Sequence, residues 1–343
     1  MAPVPDETLL TDLRVEGALP PELRGRLLCV GPSGEPPDGV VHAVEFDGGP
    51  RVAYRRRRPA IDATSNLMRY RSSVLAISTG SLALELDSAL EHASRVDLAG
   101  NSRPLSTLPK VDPTTGELHL ITDGDPQAHV VVSRGAFTRK SRPIVDPPSP
   151  VTDLAITETH LVLAAQGSVG VTSRRGDEDI KWHTTTAAVP HLISAHDLHR
   201  DVVVFALTPL IEQWALGHGS SAIDQSVIEA TPQSFARRDD TTLEPPGRLW
   251  SVGNGAIHVH DLVAERRMTY DIDGDGQPDD FVLVPHGPND RNGGWLVGFV
   301  HTTTADETAL VVLDAGNVAQ PAVATVHIPR RIPAGRRALW LPS

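Results

Sequence analysis

The most distinctive polar segment of this sequence is an acidic stretch in which carboxylates alternate with glycines. Carboxylates spaced in this way let a short loop surround Ca²⁺ with oxygen ligands, as in EF-hand loops. The glutamate that closes an EF-hand is absent, because Phe281 or Val282 stands there. Asp-Gly pairs also form hairpin turns without metal, so a calcium loop and a plain acidic turn remain equal alternatives. The candidate calcium ligands are Asp271, Asp273, Asp275, Gln277, Asp279 and Asp280.

Histidines offer a second kind of metal ligand. His258 and His260 are two residues apart, which on a β-strand directs both imidazoles to one face. His196 and His199 follow His191 closely in the chain. Histidines occur in cores and on surfaces alike, so isolated structural histidines are the commoner explanation. No serine-hydrolase elbow, Walker phosphate loop or dinucleotide-binding glycine pattern is present, which leaves hydrolase, kinase and dehydrogenase functions unsupported.

Composition narrows the range of partners. The net charge of −12, from 43 acidic against 31 basic residues, repels a phosphate backbone, so we expect no nucleic-acid partner. The single Cys29 excludes an internal disulfide and any multi-thiolate zinc site. The run of four arginines at 55–58 could mark an anionic lipid or phosphate site, but a solvated turn or edge strand is the commoner explanation. With no apolar leader and no membrane-spanning stretch, we expect a cytoplasmic protein, while peripheral membrane contact stays open.

The elements that must position these residues are short strands. Runs rich in Val, Ile and Leu recur between clusters of Gly, Pro, Asp and Asn, which favours a propeller, barrel or sandwich in one domain over residues 1–343. The only helical candidate is residues 221–230, and residues 145–150 and 231–247 are predicted loops. Strands are predicted at residues 26–30, 40–46, 73–78, 117–122, 129–133, 160–164, 201–207, 256–260, 280–284, 294–301, 309–314 and 323–328.

Several segments resemble, in the same order, the motifs of one known family. They are the segments at 17–25, 38–44 (Asp-Gly-Val-Val-His-Ala-Val), 109–118, 152–158, 191–195, 280–285, 312–315 and 328–335, followed by Trp340. The family is that of the carotenoid cleavage oxygenases, which includes stilbene-cleaving enzymes and retinoid isomerase relatives. The resemblance implies an all-β fold, a seven-bladed β-propeller whose loops form a dome over an apolar tunnel for long isoprenoid or stilbenoid substrates. This chain is shorter than typical members, so we expect reduced dome loops.

The same resemblance shows which metal ligands are missing. Members of that family hold Fe(II) on the propeller axis with four histidines, oriented by glutamates. At three of these four positions the chain carries Leu108, Thr152 and Arg337, and only His191 keeps an imidazole. Arg291 takes the place of one orienting glutamate. One imidazole beside a protonated guanidinium does not hold Fe(II), so we expect no iron.

If the propeller forms, the side chains of His191, Arg337, Thr152 and Arg291 should converge near the former iron position, with Asp153 beside them. Such a group could bind a carboxylate or enolate, or stabilise negative charge developing on a carbonyl, with His191 as acid or base. Alternatively, Arg337 fills the vacant position by pairing with Asp153. Residues expected to contact substrate are Leu108, Trp295 and Trp340.

The leading hypothesis is an iron-independent enzyme on this scaffold. It would perform cyclisation, isomerisation or elimination on a hydrophobic polyene, terpenoid or polyketide. One alternative is a non-catalytic protein that binds a lipophile. Another is an Fe(II)-dependent cleavage dioxygenase with an atypical metal site. Fold alone does not choose among the three, because function depends on the site.

Overall fold

All regular secondary structure in the described part of the chain is β-strand, as predicted. Within it, no helix is long and apolar enough to cross a membrane. For residues 229, 234, 235, 237, 238, 336 and 337 only the backbone is described. The computed structural model describes residues 8–32, 39–133, 139–186, 191–199, 201–208, 210–217, 223–229, 234–235, 237–238, 245–253, 255–287, 290, 293–302, 307–333 and 336–343.

The strands are short and follow one another along the whole chain. They are β1 (Thr8–Leu10), β2 (Arg14–Gly17), β3 (Arg24–Pro32), β4 (Gly39–Asp47), β5 (Val52–Ile61), β6 (Asn66–Tyr70), β7 (Ser73–Ile77), β8 (Ala83–Leu86), β9 (Ala93–Val96), β10 (Lys110–Val111), β11 (Leu118–Ile121), β12 (Ala128–Val132), β13 (Arg139–Pro143), β14 (Val151–Ile156), β15 (His160–Ala165), β16 (Ser168–Ser173), β17 (Lys181–Thr184), β18 (His191–Leu198), β19 (Asp201–Leu207), β20 (Ile211–Gly217), β21 (Ile223–Glu229), β22 (Ser234–Phe235), β23 (Arg237–Arg238), β24 (Arg248–Gly253), β25 (Ala256–Asp261), β26 (Arg266–Asp271), β27 (Gln277–Val284), β28 (Trp295–His301), β29 (Thr308–Asp314), β30 (Ala324–Ile328) and β31 (Arg336–Pro342).

These strands form seven sheets, the blades, which confirms the predicted seven-bladed propeller. From the axis outward, blade 1 contains β31, β3, β4, β5 and β1. Blades 2 to 5 contain β6–β9, β10–β13, β14–β17 and β18–β21. Blade 6 contains β22, β24, β25 and β26, and blade 7 contains β23, β27, β28, β29, β30 and β2. Pairing within the blades is antiparallel except between β23 and β27.

Strands from the two ends of the chain close the ring. The last strand, β31, pairs with β3, so that Trp340 lies opposite Leu27 in blade 1. The early strand β2 pairs with β30 in blade 7, where Arg14 lies opposite His327. Closure of this kind holds the first and last blades together and leaves only short outer edges.

Both faces of a blade are buried against its neighbours, which explains the apolar composition of the strands. In β4, Val44 and Phe46 belong to the core between blades 1 and 7, whereas Val41 and Ala43 face blade 2. The arginine run at 55–58 lies inside β5, which β1 covers on its outer side, so it is neither a turn nor an edge strand.

All twelve predicted strands are present, but two other predictions are wrong. Residues 223–229 form strand β21 rather than a helix, because pairing with β20 in blade 5 overrides the helix-like spacing of apolar residues at 223, 227 and 228. The predicted loop at 231–247 contains β22 and β23. Strands of two residues are too short to leave a period in the sequence.

The innermost strands all run in the same direction, because the chain passes through each blade from the axis outward. They therefore begin on one face of the propeller, which we call the entry face. The connection between β9 and β10, residues 97–109, is the longest one on this face within the described residues. Side chains at the first positions of the innermost strands are thus brought together around the axis.

Candidate active site

Three of the site residues predicted from the sequence lie at or near the start of successive innermost strands. Leu108 precedes β10, Thr152 is the second residue of β14, and His191 is the first residue of β18. Arg337 is the second residue of β31, so its backbone stands at the corresponding level of blade 1. Arg291 lies outside the described residues. The fold therefore places four of the predicted positions at the entry face, as the family motifs implied.

Asp153 links the innermost strands of blades 4 and 5. Its carboxylate accepts hydrogen bonds from the backbone N–H of Leu154 at 2.8 Å and of Leu192 at 3.0 Å. The side chain is 8% exposed, so these bonds hold a buried charge in one orientation. A register shift in β14 between Val151 and Asp153 leaves Thr152 as an extra, exposed residue, as in a β-bulge that redirects a side chain.

His191 lies next to this fixed carboxylate. Its Nδ1 is 3.9 Å from Oδ2 of Asp153, and its side chain is 55% exposed. At this distance the two groups are within ion-pair range but are not hydrogen-bonded to each other. The sequence had placed Asp153 near the axis without showing that its contact would be with His191.

The described residues at these positions do not fit an Fe(II) centre. Leu108 has no ligand atom and packs against the core that includes Leu105 and Leu118. The hydroxyl of Thr152 lies 3.5 Å from the carbonyl oxygen of Ala164. His191 is thus the one imidazole among these positions, and Fe(II) in proteins needs several nitrogen or oxygen ligands.

The other histidines considered from the sequence are engaged elsewhere. His258 and His260 both lie in β25 and are buried, and their rings contact Thr269 at 3.1 Å and Ser251 at 3.2 Å. His196 is buried and stacks on Phe205. His199 is exposed just beyond β18. Within the described part of the chain, none of these four joins His191 in a metal-binding group.

Sequence reasoning missed a different cluster, formed by Asp112, Glu117 and His119. Their ligand atoms lie within 4.8 Å of one another. Arg174 of blade 4 donates to the Asp112 carboxylate, and its terminal nitrogen is 3.3 Å from Nε2 of His119. Two of the three residues, Asp112 and His119, thus contact a guanidinium in this structure. Asp112 directly follows β10, Glu117 directly precedes β11, and His119 lies within β11. Their spacing has no metal-binding signature that could have revealed them.

The acidic segment, residues 271–280, covers the end of β26, the connection 272–276 on the entry face and the first half of β27. Only Asp273 and Asp275 of the six candidate ligands lie in the connection, where Gly274 adopts a left-handed conformation with φ of 69° that suits a tight turn. Asp271 and Gln277, which flank the connection, are exposed. The Asp279 carboxylate lies 3.1 Å from Nε2 of His301. Burial, and then the charge of Asp273, raises the pKa of Tyr270. Within the described residues, no three of the five candidate aspartates lie close enough to share one ion, and calcium binding stays a prediction.

The two tryptophans expected to contact substrate lie in the core between blades 1 and 7. Trp340 packs against Phe46, with ring centroids 5.6 Å apart. Trp295 packs against the same core and meets His286 edge-on at 4.7 Å. The structure therefore does not bring either ring to His191, and their role in substrate binding stays a prediction.

Comparison with protein families gives a direct assignment. The model of the retinal pigment epithelial membrane protein family matches residues 55–222 and 233–342. The chain belongs to this family. The resemblance read from the sequence motifs is thereby confirmed, and a carotenoid-oxygenase-like scaffold is established.

Known members of the family agree in fold. A carotenoid cleavage oxygenase of Mycobacterium tuberculosis (strain CDC 1551 / Oshkosh) is 23% identical, with 100% of this chain and 96% of the relative covered. The alignment spans 486 residues against 343 in this chain, so the relative carries insertions that this chain lacks. A mutant of Synechocystis apocarotenoid oxygenase superimposes with a TM-score of 0.86 at 17% identity, covering 99% of this chain and 97% of the other. The cobalt-substituted form of that oxygenase gives 0.84 at 17% identity, with the same coverage.

Proposed function

We propose that this family member is an iron-independent enzyme that performs isomerisation, cyclisation or elimination on a hydrophobic polyene, terpenoid or polyketide. The observation that carries the proposal is the pair formed by exposed His191 and buried Asp153 at the entry face. All three reactions can proceed by moving a proton on and off the substrate, without an external oxidant.

The roles follow from the contacts. Asp153 is held by the N–H groups of Leu154 and Leu192, so it stays beside Nδ1 of His191 and stabilises the imidazolium that forms when Nε2 takes a proton. Nε2 then returns the proton to another atom of the substrate. This exchange conserves atoms and electrons and yields an isomer, or an alkene and water when a hydroxyl leaves.

Thr152 and Arg337 complete the proposed site. Thr152 is exposed and stands on β14, which packs beside the strand of His191, and its hydroxyl is the proposed hydrogen-bond donor to substrate. A guanidinium at position 337 would stabilise negative charge that develops on a carbonyl oxygen or enolate. A lipophilic substrate is supported by the relatives, which are a carotenoid cleavage oxygenase and an apocarotenoid oxygenase.

The test uses chelator-treated, metal-free protein with a panel of polyenes and terpenoids, and products are followed by chromatography and mass spectrometry. We expect products of unchanged mass, or of the mass less water. His191→Gln should lower kcat by about 100-fold or more, since general acid–base groups contribute on that scale. His92→Gln, an exposed histidine in the turn between β8 and β9, is the matched control.

Two results would overturn the proposal. Oxygen-containing cleavage products that appear only with added Fe(II) and O₂ would identify a dioxygenase. Tight binding of a lipophile without turnover, unchanged in His191→Gln, would identify a binding protein.

A further inference from the structure

A buried glutamine connects blade 3 to the innermost strand of blade 4. Gln127 lies in the connection between β11 and β12 and is 7% exposed. Its Nε2 donates to the carbonyl oxygen of Val151 at 3.1 Å, and its Oε1 accepts the backbone N–H of Val151 at 2.7 Å. Both backbone groups of Val151, the first residue of β14, are therefore bonded to one side chain from the neighbouring blade.

The chemistry of the backbone fixes the orientation of this amide. A carbonyl oxygen can only accept a hydrogen bond and a backbone N–H can only donate one, so the amide NH₂ faces the former and the amide oxygen faces the latter. Two residues that exchange a pair of hydrogen bonds in this way are also the unit of an antiparallel ladder. Gln127 thus binds Val151 as a paired strand residue would, although their blades share no ladder.

The backbone that carries the amide is itself held in place. The carbonyl oxygen of Gln127 accepts the N–H of Ile144 at 2.9 Å. The carbonyl oxygen of the preceding Pro126 accepts a hydrogen bond from the guanidinium of Arg103 at 2.7 Å. A buried side chain on a fixed backbone has few alternative conformations, so the amide restrains Val151 in one position.

The restrained residue directly precedes the proposed active site. Thr152 is the extra, exposed residue of the β-bulge, and Asp153 on its other side accepts the N–H of Leu192. A bulged residue has no ladder partner of its own, so the residues that flank it determine its orientation. Asp153 is fixed by blade 5, and Val151 is fixed by Gln127 of blade 3.

We propose that Gln127 is a positioning residue of the entry-face site, which holds Val151 and thereby orients Thr152 for its contact with substrate. Within the described residues, both hydrogen bonds of the Gln127 side chain go to backbone atoms, so it acts through Thr152. The effect on turnover rests on the proposed function, whereas the restraint on Thr152 does not.

The first test is Gln127→Met, which keeps the length of the side chain and removes both the donor and the acceptor. The chelator-treated full chain is assayed with the same panel of polyenes and terpenoids. We expect kcat per folded molecule to fall by about 10- to 100-fold, the scale of a small misplacement of an active-site group. KM should stay close to wild type, because the apolar contacts with substrate are unchanged. Gln166→Met is the matched control, since Gln166 is an exposed glutamine in the corresponding connection of blade 4 and should keep the wild-type kcat.

Gln127→Glu separates the two hydrogen bonds from the volume of the side chain. A protonated carboxyl group can donate to the carbonyl of Val151 and accept its N–H, whereas an ionised one has no hydrogen to donate. Burial against a carbonyl oxygen raises the pKa of such a carboxyl group. The ratio of variant to wild-type kcat should therefore rise as the pH falls from about 8 to about 5.5, while the ratio for Gln127→Met stays level. A level ratio in Gln127→Glu would overturn the proposal.

Methyl NMR of the threonines supplies a readout that needs no substrate. The γ-methyl resonance of Thr152 should shift or broaden in Gln127→Met, while that of Thr325, in β30 of blade 7, should not change. A residue that only stabilised the fold would change the folded fraction and leave the resonance of the folded state as it is. An unchanged Thr152 resonance in Gln127→Met would overturn the positioning role. Wild-type turnover in His191→Gln would overturn the proposed function instead, and the restraint on Thr152 would stand.

Discussion

Nδ1 of His191 lies 3.9 Å from the carboxylate of Asp153 across the boundary between blades 4 and 5. The backbone N–H of Leu192, next in the chain to His191, donates to the same carboxylate. The buried carboxylate of Asp153 therefore anchors the strand that carries His191 and connects blades 4 and 5. A structural role for Asp153 and a chemical role for His191 can be tested separately.

Asp153→Asn should lower the free energy of unfolding by about 1–3 kcal/mol, because an amide NH₂ would face the backbone N–H of Leu154 or Leu192 in place of an acceptor. Urea unfolding followed by circular dichroism measures the change. Thr152→Ala, at the exposed neighbouring position, should stay within about 0.5 kcal/mol of wild type. Equal losses in the two variants would contradict this account.

His191→Gln should leave the free energy of unfolding within about 0.5 kcal/mol of wild type, because the imidazole is 55% exposed. The same variant should lose most of its turnover. Urea unfolding and product analysis on one preparation compare the two effects. A large loss of stability together with retained turnover would place His191 in the structural framework.

Arg174→Met should destabilise the chain by roughly 3 kcal/mol, because it leaves the buried Asp112 carboxylate without its ion-pair partner between blades 3 and 4. Equilibrium unfolding in urea gives the difference. Arg175→Met is the matched control, since Arg175 is exposed and directly adjacent. If both variants unfold at the same urea concentration as wild type, the ion pair does not stabilise this boundary.

Stability should fall as the pH falls from about 6.5 to about 4. Burial, and then the charge of Arg174, lowers the pKa of His119 to about 4; burial, and then His119, lowers that of His129 to about 3. An unfolded histidine titrates near 6.5, so below that pH the unfolded chain binds more protons than the folded one, and acid favours unfolding. Unfolding free energies at pH 7.5, 6 and 5 test this.

A variant isolates these two groups in the pH profile. His129→Gln removes one buried imidazole from the pair, whose nitrogens lie 3.1 Å apart, and should flatten the slope between pH 6 and 5. Thr152→Ala, at an exposed position that carries no ionisable group, should leave the slope unchanged. A slope identical to wild type in His129→Gln would assign the pH dependence to other groups.

Calcium binding by the acidic segment has a direct test. If its carboxylates close around Ca²⁺, millimolar calcium should raise Tm above that of chelator-treated protein, because a ligand that binds only the folded state stabilises it. Asp273→Asn, in the exposed turn, should remove the effect, whereas Asp290→Asn, outside the segment, should retain it. The absence of any shift in wild type would leave an acidic turn.

The local pattern of apolar and turn-forming residues was enough to predict much of the fold. Alternation and turn residues predicted twelve strands, and the motifs around Leu108, Thr152 and His191 gave both the family and the entry-face positions before any contact was known. The pattern failed at residues 223–229, where pairing with β20 decides the conformation, and at the two-residue strands β22 and β23. The periodicity of apolar residues indicates the local conformation of the chain, but it carries no information on which strand pairs with it.

Residue types and their order in the sequence by themselves determined an all-β chain of this family, and they predicted that its iron-ligand positions carry Leu108, Thr152 and Arg337. Only the tertiary structure placed Arg174 on Asp112, 62 residues away in the chain, and the Asp153 carboxylate on the backbone N–H of Leu192. Such contacts arise when the blades pack and β31 closes the ring on β3. The residues that make these contacts come from distant segments of the chain. The energy of each contact therefore depends on the closed propeller, and no periodic pattern in the local sequence predicts it.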